Sequence, residues 1–81
     1  MTDNFTFEIK RQFGVLNENT KTGWKREVNL VSWNGNPLKI DIRDWDEEHT
    51  HMGRGLTFSL EEAQILYTIL TEVLLDKSWQ E

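Results

Sequence analysis

Lys25 and Trp33 in the run 24–33, and Lys39, Arg43 and Trp45 in the run 38–45, recur at alternate positions of two extended segments. Alternation puts each set on one side of its strand. Cations that follow phosphates, interleaved with aromatic faces on which bases stack, are the equipment of single-strand nucleic-acid binders; each stack contributes roughly 1–3 kcal/mol and tolerates any base. A tryptophan facing water forgoes the burial that normally rewards it, so an outward pair calls for a flat apolar partner. The competing reading has Trp33 and Trp45 covering a sheet edge or a subunit seam, and Glu27 and Asp41 on the same side temper its field. Lys10, Lys21, Arg26 and Arg54 are flanking cations. By the same alternation Trp24 and Arg26 fall on the opposite side, whereas Arg54, bracketed by Gly53 and Gly55, either touches a phosphate from a loop or sits in an exposed hairpin connection.

Other chemistries find less support. Asp46-Glu-Glu-His49-Thr-His51 brings acids and two histidines together, but at a spacing that belongs to no established metal site, so no metal is expected. Gly53-Arg-Gly55 is too short for a dinucleotide or phosphate-loop fingerprint. The chain has no cysteine, and no motif pairs a serine with a histidine base. A non-enzyme without catalytic residues or cofactor is expected.

The elements that must position these residues follow from periodicity. Phe5 to Leu16 alternates, with Phe5, Phe7, Ile9, Phe13 and Val15 on one face; Arg11 interrupts that face and predicts a bulge or an edge strand. A polar turn over 17–23 leads to a second strand carrying Trp24, Arg26, Val28 and Leu30 on one side and Lys25, Glu27, Asn29, Val31 and Trp33 on the other. Asn34-Gly35 tolerates positive φ and Pro37 cannot donate a ladder bond, so a short hairpin loop follows. The third strand turns Leu38, Ile40 and Ile42 inward and Lys39, Asp41, Arg43 and Trp45 outward. A charged loop over 46–54 precedes a short fourth strand at Leu56 to Phe58. Ser59-Leu-Glu-Glu62 has the form of a capping box, predicting a helix to about Lys77. That helix is apolar over more than half its circumference, more than one small sheet can cover. The surplus predicts a two-fold dimer through Ile65, Leu66, Ile69, Leu70 and Val73.

The 81 residues make a single domain, 1–81, which buries only about 60% of its unfolded surface. No basic region followed by an apolar stretch opens the chain, and no segment approaches the length needed to cross a bilayer, so a soluble, cytoplasmic protein without membrane association is expected. The net charge of −5 is unevenly spread. Between positions 10 and 26 Lys10, Arg11, Lys21, Lys25 and Arg26 face Glu18 alone, while from 61 onward Glu61, Glu62, Glu72, Asp76 and Glu81 face only Lys77. The local field matters more to a polyanion than the overall sign.

Taken together, Val28-Asn-Leu-Val-Ser-Trp33-Asn-Gly35, Asp41-Ile-Arg43-Asp-Trp45 and Gly53-Arg-Gly55-Leu-Thr-Phe-Ser59-Leu-Glu-Glu62 resemble the positive cofactor four family of transcriptional coactivators, and more closely its small bacterial, YdbC-like branch. The resemblance spans roughly residues 5 to 75. It implies an α+β fold, a curved four-stranded antiparallel sheet followed by one C-terminal helix (ββββα), assembled as a homodimer that binds single-stranded DNA across its sheets. It sets Trp33 at a base-stacking aromatic and Arg43 at a phosphate-contacting arginine, while Asp46 stands where coactivators of the family often carry a further aromatic. The expectation is a homodimeric, largely sequence-independent single-stranded DNA binder, cytoplasmic and nucleoid-associated, serving transcription, replication or repair. An RNA-binding module using the same face, or a protein-interaction module using the tryptophan face or the helix, are the alternatives.

Overall fold

A computed structural model describes residues 5–79. Four strands, β1 (Phe7–Glu18), β2 (Lys25–Trp33), β3 (Lys39–Trp45) and β4 (Met52–Phe58), precede a single helix, α1 (Leu60–Leu75). The strands pair in chain order as an antiparallel sheet, β1-β2-β3-β4, so the expected ββββα architecture is present. Each turn follows from its residues. Asn34 and Gly35 have φ of 52° and 76°, and Asn36 N–H donates to the Trp33 carbonyl at 2.9 Å, closing the tight turn that Asn-Gly favours between twisted strands. Ser59 and Glu62 form the reciprocal capping box at the start of α1, with Glu62 N–H donating to Ser59 Oγ at 3.1 Å and Ser59 N–H to Glu62 Oε1 at 2.9 Å.

β1 is an edge strand whose register against β2 slips near Lys10, Phe13 and Leu16. The first slip adjoins Arg11, where a bulge or edge was expected. The bulges break the alternation: Phe7 and Ile9 oppose Trp33 and Val31, whereas Gln12 and Val15, rather than Phe13, oppose Asn29 and Glu27 farther along. β4 begins at Met52, earlier than expected, and takes in Gly53 and Gly55. A Cβ at Gly55 would collide with the Arg43 side chain and the Ile42 carbonyl, so glycine here lets β4 lie close against β3.

The sides of the sheet group as alternation requires, but their burial is the reverse of the expected one. On the front lie Lys25, Glu27, Asn29, Val31 and Trp33 of β2 with Lys39, Asp41, Arg43 and Trp45 of β3. This is the enclosed side: Val31, Asn29, Asp41 and Trp45 are wholly buried and Glu27 nearly so. The cause is curl. Phe7 opposes one end of β2 and Trp45 the other, roughly 26 Å apart on a flat ladder at about 3.3 Å per residue, yet their ring centroids lie 5.2 Å apart. The reverse side carries Val28, Leu30, Ile40, Ile42 and Phe58, half-buried, and the exposed Leu56. α1 touches only β3 and β4, and no helical residue is buried among those described.

Candidate nucleic-acid interface

Trp33 closes β2 at the mouth of the curl. Phe5 and Phe7 pack against it, each with a ring centroid 5.9 Å away, and the Arg43 guanidinium carbon sits 4.7 Å from its ring centre. Phe5, Trp33, Arg43, Met52 and Thr57 line an open groove of about 310 Å³. The indole Nε1 of Trp33 is buried without a hydrogen-bond partner among the described residues. What Trp33 offers the groove is therefore ring surface.

Arg43 is held hard in place. Its Nε donates to Asp41 Oδ1 at 2.8 Å, Nη2 donates to Asp41 Oδ2 at 2.8 Å, and Nη1 donates to the Gly53 carbonyl at 3.3 Å. The Asp41 side chain is wholly buried and that of Arg43 is 15% exposed, so the cation's charge is largely matched from within. This makes Arg43 a stiff platform beneath Trp33, with less charge to spare for a phosphate than its sequence motif implies.

Trp45 does not reach the open surface, in contrast to its expected outward position. It is wholly buried between Phe7 and His49, whose ring lies 5.4 Å from its own, because the curl of the sheet folds this side inward. His49 adopts φ of 60° in the β3–β4 turn and places Nε2 at 2.9 Å from Glu27 Oε1, and Asn29 Nδ2 donates to the same oxygen at 3.0 Å. His51 pairs with Asp46, Nδ1 to Oδ2 at 3.0 Å. The two histidines thus serve separate acids, and among the described residues no group of three or more histidines and acids could hold a metal ion.

The remaining cations divide by partner. Lys39 is exposed beside Val31, and Lys25 half-buried beside Trp45, both on the front and without an ion pair among the described residues. Lys10 is exposed and loosely paired with Glu8 at 3.4 Å. Arg26 lies on the reverse side, its Nε donating to Asp44 Oδ1 at 2.9 Å. Lys21 is exposed in the β1–β2 turn, and Arg54 is exposed within β4 rather than in a loop. The structure thus brings Arg43 against Trp33, with Lys39 on the same face opposite Val31; Lys25 shares that face but at the far end of β2, while Arg26 lies on the reverse side and Lys21 in the β1–β2 turn. The sequence reading missed Met52 and Thr57 as groove walls, since the extent of β4 was hidden by its glycines.

Residues 20–69, more than half the chain, match the family model described as Transcriptional Coactivator p15 (PC4). The chain belongs to the PC4 family. It is also 37% identical over 76 residues to an uncharacterized protein of Treponema pallidum (strain Nichols), an alignment covering 94% of this chain and 88% of that one. The matched residues of the PC4 model run from the β1–β2 turn into the middle of α1 and include Trp33, the Asp41-Ile-Arg43 strand and the whole of β4. The whole of β1, with its three register slips, lies outside them.

Proposed function

We propose that this PC4-family chain binds single-stranded DNA as a homodimer, largely without regard to sequence, and serves transcription, replication or repair. The observation that carries the reading is Trp33: a tryptophan braced by Arg43 and two phenylalanines at the rim of an open groove, with its only polar atom turned inward. Such a ring offers stacking surface, which every base can use. Lys39 and Lys25, without an ion pair among the described residues, supply phosphate contacts on the same face. The electrostatic share is modest, because Asp41 already answers Arg43. Among the described residues no helix is long and apolar enough to cross a membrane.

The dimer is supported by area. A compact 9.6 kDa protein exposes about 5,100 Å² and has a radius of gyration near 12 Å, whereas this protomer exposes 6715 Å² with a radius of 15.1 Å. Two such excesses sum to about 3,000 Å², the range of obligate dimers. Ile65, Ile69, Leu70 and Val73 are open, while Ala63 and Leu66 are half-buried.

The test is an oligo-dT titration followed by tryptophan fluorescence at two salt concentrations. Quenching whose affinity falls with salt, with a log-log slope of about −0.7 per phosphate neutralised, and a large loss for Trp33→Ala, are expected. A flat salt response, or equal affinity of Trp33→Ala and the parent protein, overturns the reading. Competition with a matched RNA oligomer, which adds the 2′-hydroxyl, separates DNA from RNA preference.

A further inference from the structure

The reverse side of the sheet holds a second concavity, of about 330 Å³, lined by Asn17, Asn19, Thr22, Trp24, Arg26 and Asp44. It lies at the opposite end of β2 from Trp33, where β1, the β1–β2 turn and β3 meet. Its walls are fixed before any ligand arrives. Asn19 Oδ1 accepts from the backbone N–H groups of Lys21 at 3.0 Å and Thr22 at 3.3 Å, Thr22 Oγ1 accepts from Trp24 N–H at 3.2 Å, and Gly23 N–H donates to the Asn19 carbonyl at 2.8 Å. Gly23 takes φ of 84° to complete the turn. Across the floor Arg26 grips Asp44 through Nε at 2.9 Å and Nη2 at 3.4 Å.

The polar groups that remain uncommitted are mixed in sense. The side-chain amide of Asn17 makes no hydrogen bond among the described residues and supplies both donor and acceptor. Asp44 retains lone pairs beyond the two Arg26 bonds, and Arg26 Nη1 remains a donor. A planar indole, an amide and an adjoining donor and acceptor match a flat heterocycle whose edge alternates donors with acceptors. Arg26 and Asp44 cancel in charge, while Lys21 on the bounding turn is exposed and without an ion pair among the described residues, which favours an anionic group beside that heterocycle. The volume is at the low end of the range, about 300–1,000 Å³, that encloses small ligands. One base with its sugar matches that volume, and the open side of the concavity leaves a phosphate free to extend toward the turn.

We propose that this pocket takes one nucleotide of a bound strand, its base against Trp24, its base edge on Asn17 and the Arg26–Asp44 pair, and its phosphate toward Lys21. The proposal rests on the reading of the chain as a single-strand binder and extends its path. Lys25 faces the front and Trp24 precedes it on the chain, so a strand leaving the front over Lys25 meets Trp24 as it rounds the sheet end. Trp24 and Arg26, set apart from the front-face cluster by alternation, thereby acquire a site of their own.

The test uses the full-length, ¹⁵N-labelled protein, following the tryptophan indole and Asn17 side-chain signals during titration with oligo-dT and, separately, with thymidine monophosphate. Oligo-dT moves the Trp24 and Asn17 signals together with that of Trp33. Trp24→Ala weakens oligo-dT affinity about tenfold, the loss of one stacked base, and leaves the Trp33 shift in place. Asn17→Ala, which removes only an exposed amide, weakens it in the same direction by a smaller factor, so the result does not depend on Trp24→Ala folding. Movement of Trp24 with oligo-dT alone supports a pocket that serves the strand, and movement with the monophosphate alone overturns the strand proposal in favour of a free-nucleotide site. If Trp33 moves while Trp24 and Asn17 stay still, the pocket proposal falls and the front-face reading stands. If Trp24 and Asn17 move while Trp33 does not, the front-face reading falls instead.

Discussion

Arg43 lies over the indole of Trp33 at 4.7 Å while its Nε and Nη2 are bound to the buried carboxylate of Asp41. One side chain thus joins the stacking surface to the polar interior. A guanidinium can do this because its plane packs on a ring while its edge binds a carboxylate; an ammonium lacks both the plane and the fork. The stiffness of the groove wall is therefore tied to a buried ion pair.

Removing Arg43 leaves the carboxylate of Asp41, wholly buried in the parent protein, without its partner. Arg43→Ala is expected to cost about 3–5 kcal/mol of stability in urea unfolding, the range for breaking a buried pair. Adding Asp41→Asn to that variant recovers part of the loss, because the orphaned charge is gone. Arg43→Lys falls between the parent and Arg43→Ala. Additive losses in the double variant would show that the two residues act independently.

Gly55 opposes Arg43 in the β3–β4 ladder, and a Cβ there meets the Arg43 side chain and the Ile42 carbonyl. Backbone cannot yield as a flexible side-chain tip can. Gly55→Ala is expected to destabilise by about 3 kcal/mol, the upper end of overpacking costs, and to displace β4, so that oligo-dT affinity falls with it. Gly14→Ala is the control: its Cβ meets nothing within 4 Å and its φ is not positive, so it stays within about 0.5 kcal/mol of the parent. Thermal unfolding of the two variants side by side gives the comparison.

Acid should loosen the β3–β4 turn. The Asp46 carboxyl is held well below the usual carboxylate range, first by the backbone N–H of His51, with the His51 ring and Thr50 adding to it against some desolvation. A carboxyl whose pKa is depressed by folding contributes stability that is present above its unfolded pKa, near 3.9, and is lost as pH falls toward its folded value. Because these signals report the folded carboxyl, the amides of Thr50 and His51 are expected to hold their positions through pH about 4 and to shift only well below it, and Asp46→Asn abolishes that dependence. Signals that move identically in Asp46→Asn would assign the change elsewhere.

Much of this was legible in the chain because local rules agree with one another. Asn34-Gly35 fixed one turn, Ser59 with Glu62 fixed the start of α1, and the alternation through β2 and β3 grouped the right residues on each side. Which side is enclosed was not legible. Alternation assigns faces but carries no information about curl, and only curl brings Phe7 to Trp45 and buries Asn29 and Asp41. The acids Glu27 and Asp41, read as weakening an open electrostatic face, are instead partners of His49 and Arg43. Trp33 kept its candidate role because it ends its strand, at the rim where the curl opens. Trp45 ends up inside, opposite Lys25 and beneath His49.

The helix gives the last expectation. Leu70 is 47% exposed in the protomer, as are its neighbours Ile69 and Val73 to similar degrees. On a solitary protomer Leu70→Glu would be a surface change, costing within about 0.5 kcal/mol. Across a two-fold interface it sets two carboxylates in an apolar seam, each costing several kcal/mol to desolvate without a partner. The dimer proposal therefore expects the parent protein to sediment at twice the 9.6 kDa protomer mass and to show a melting temperature that rises with concentration. Leu70→Glu should sediment as protomer or unfold. A variant that keeps the parent's assembly and melting profile would remove the helix from the interface and leave its apolar face to another partner.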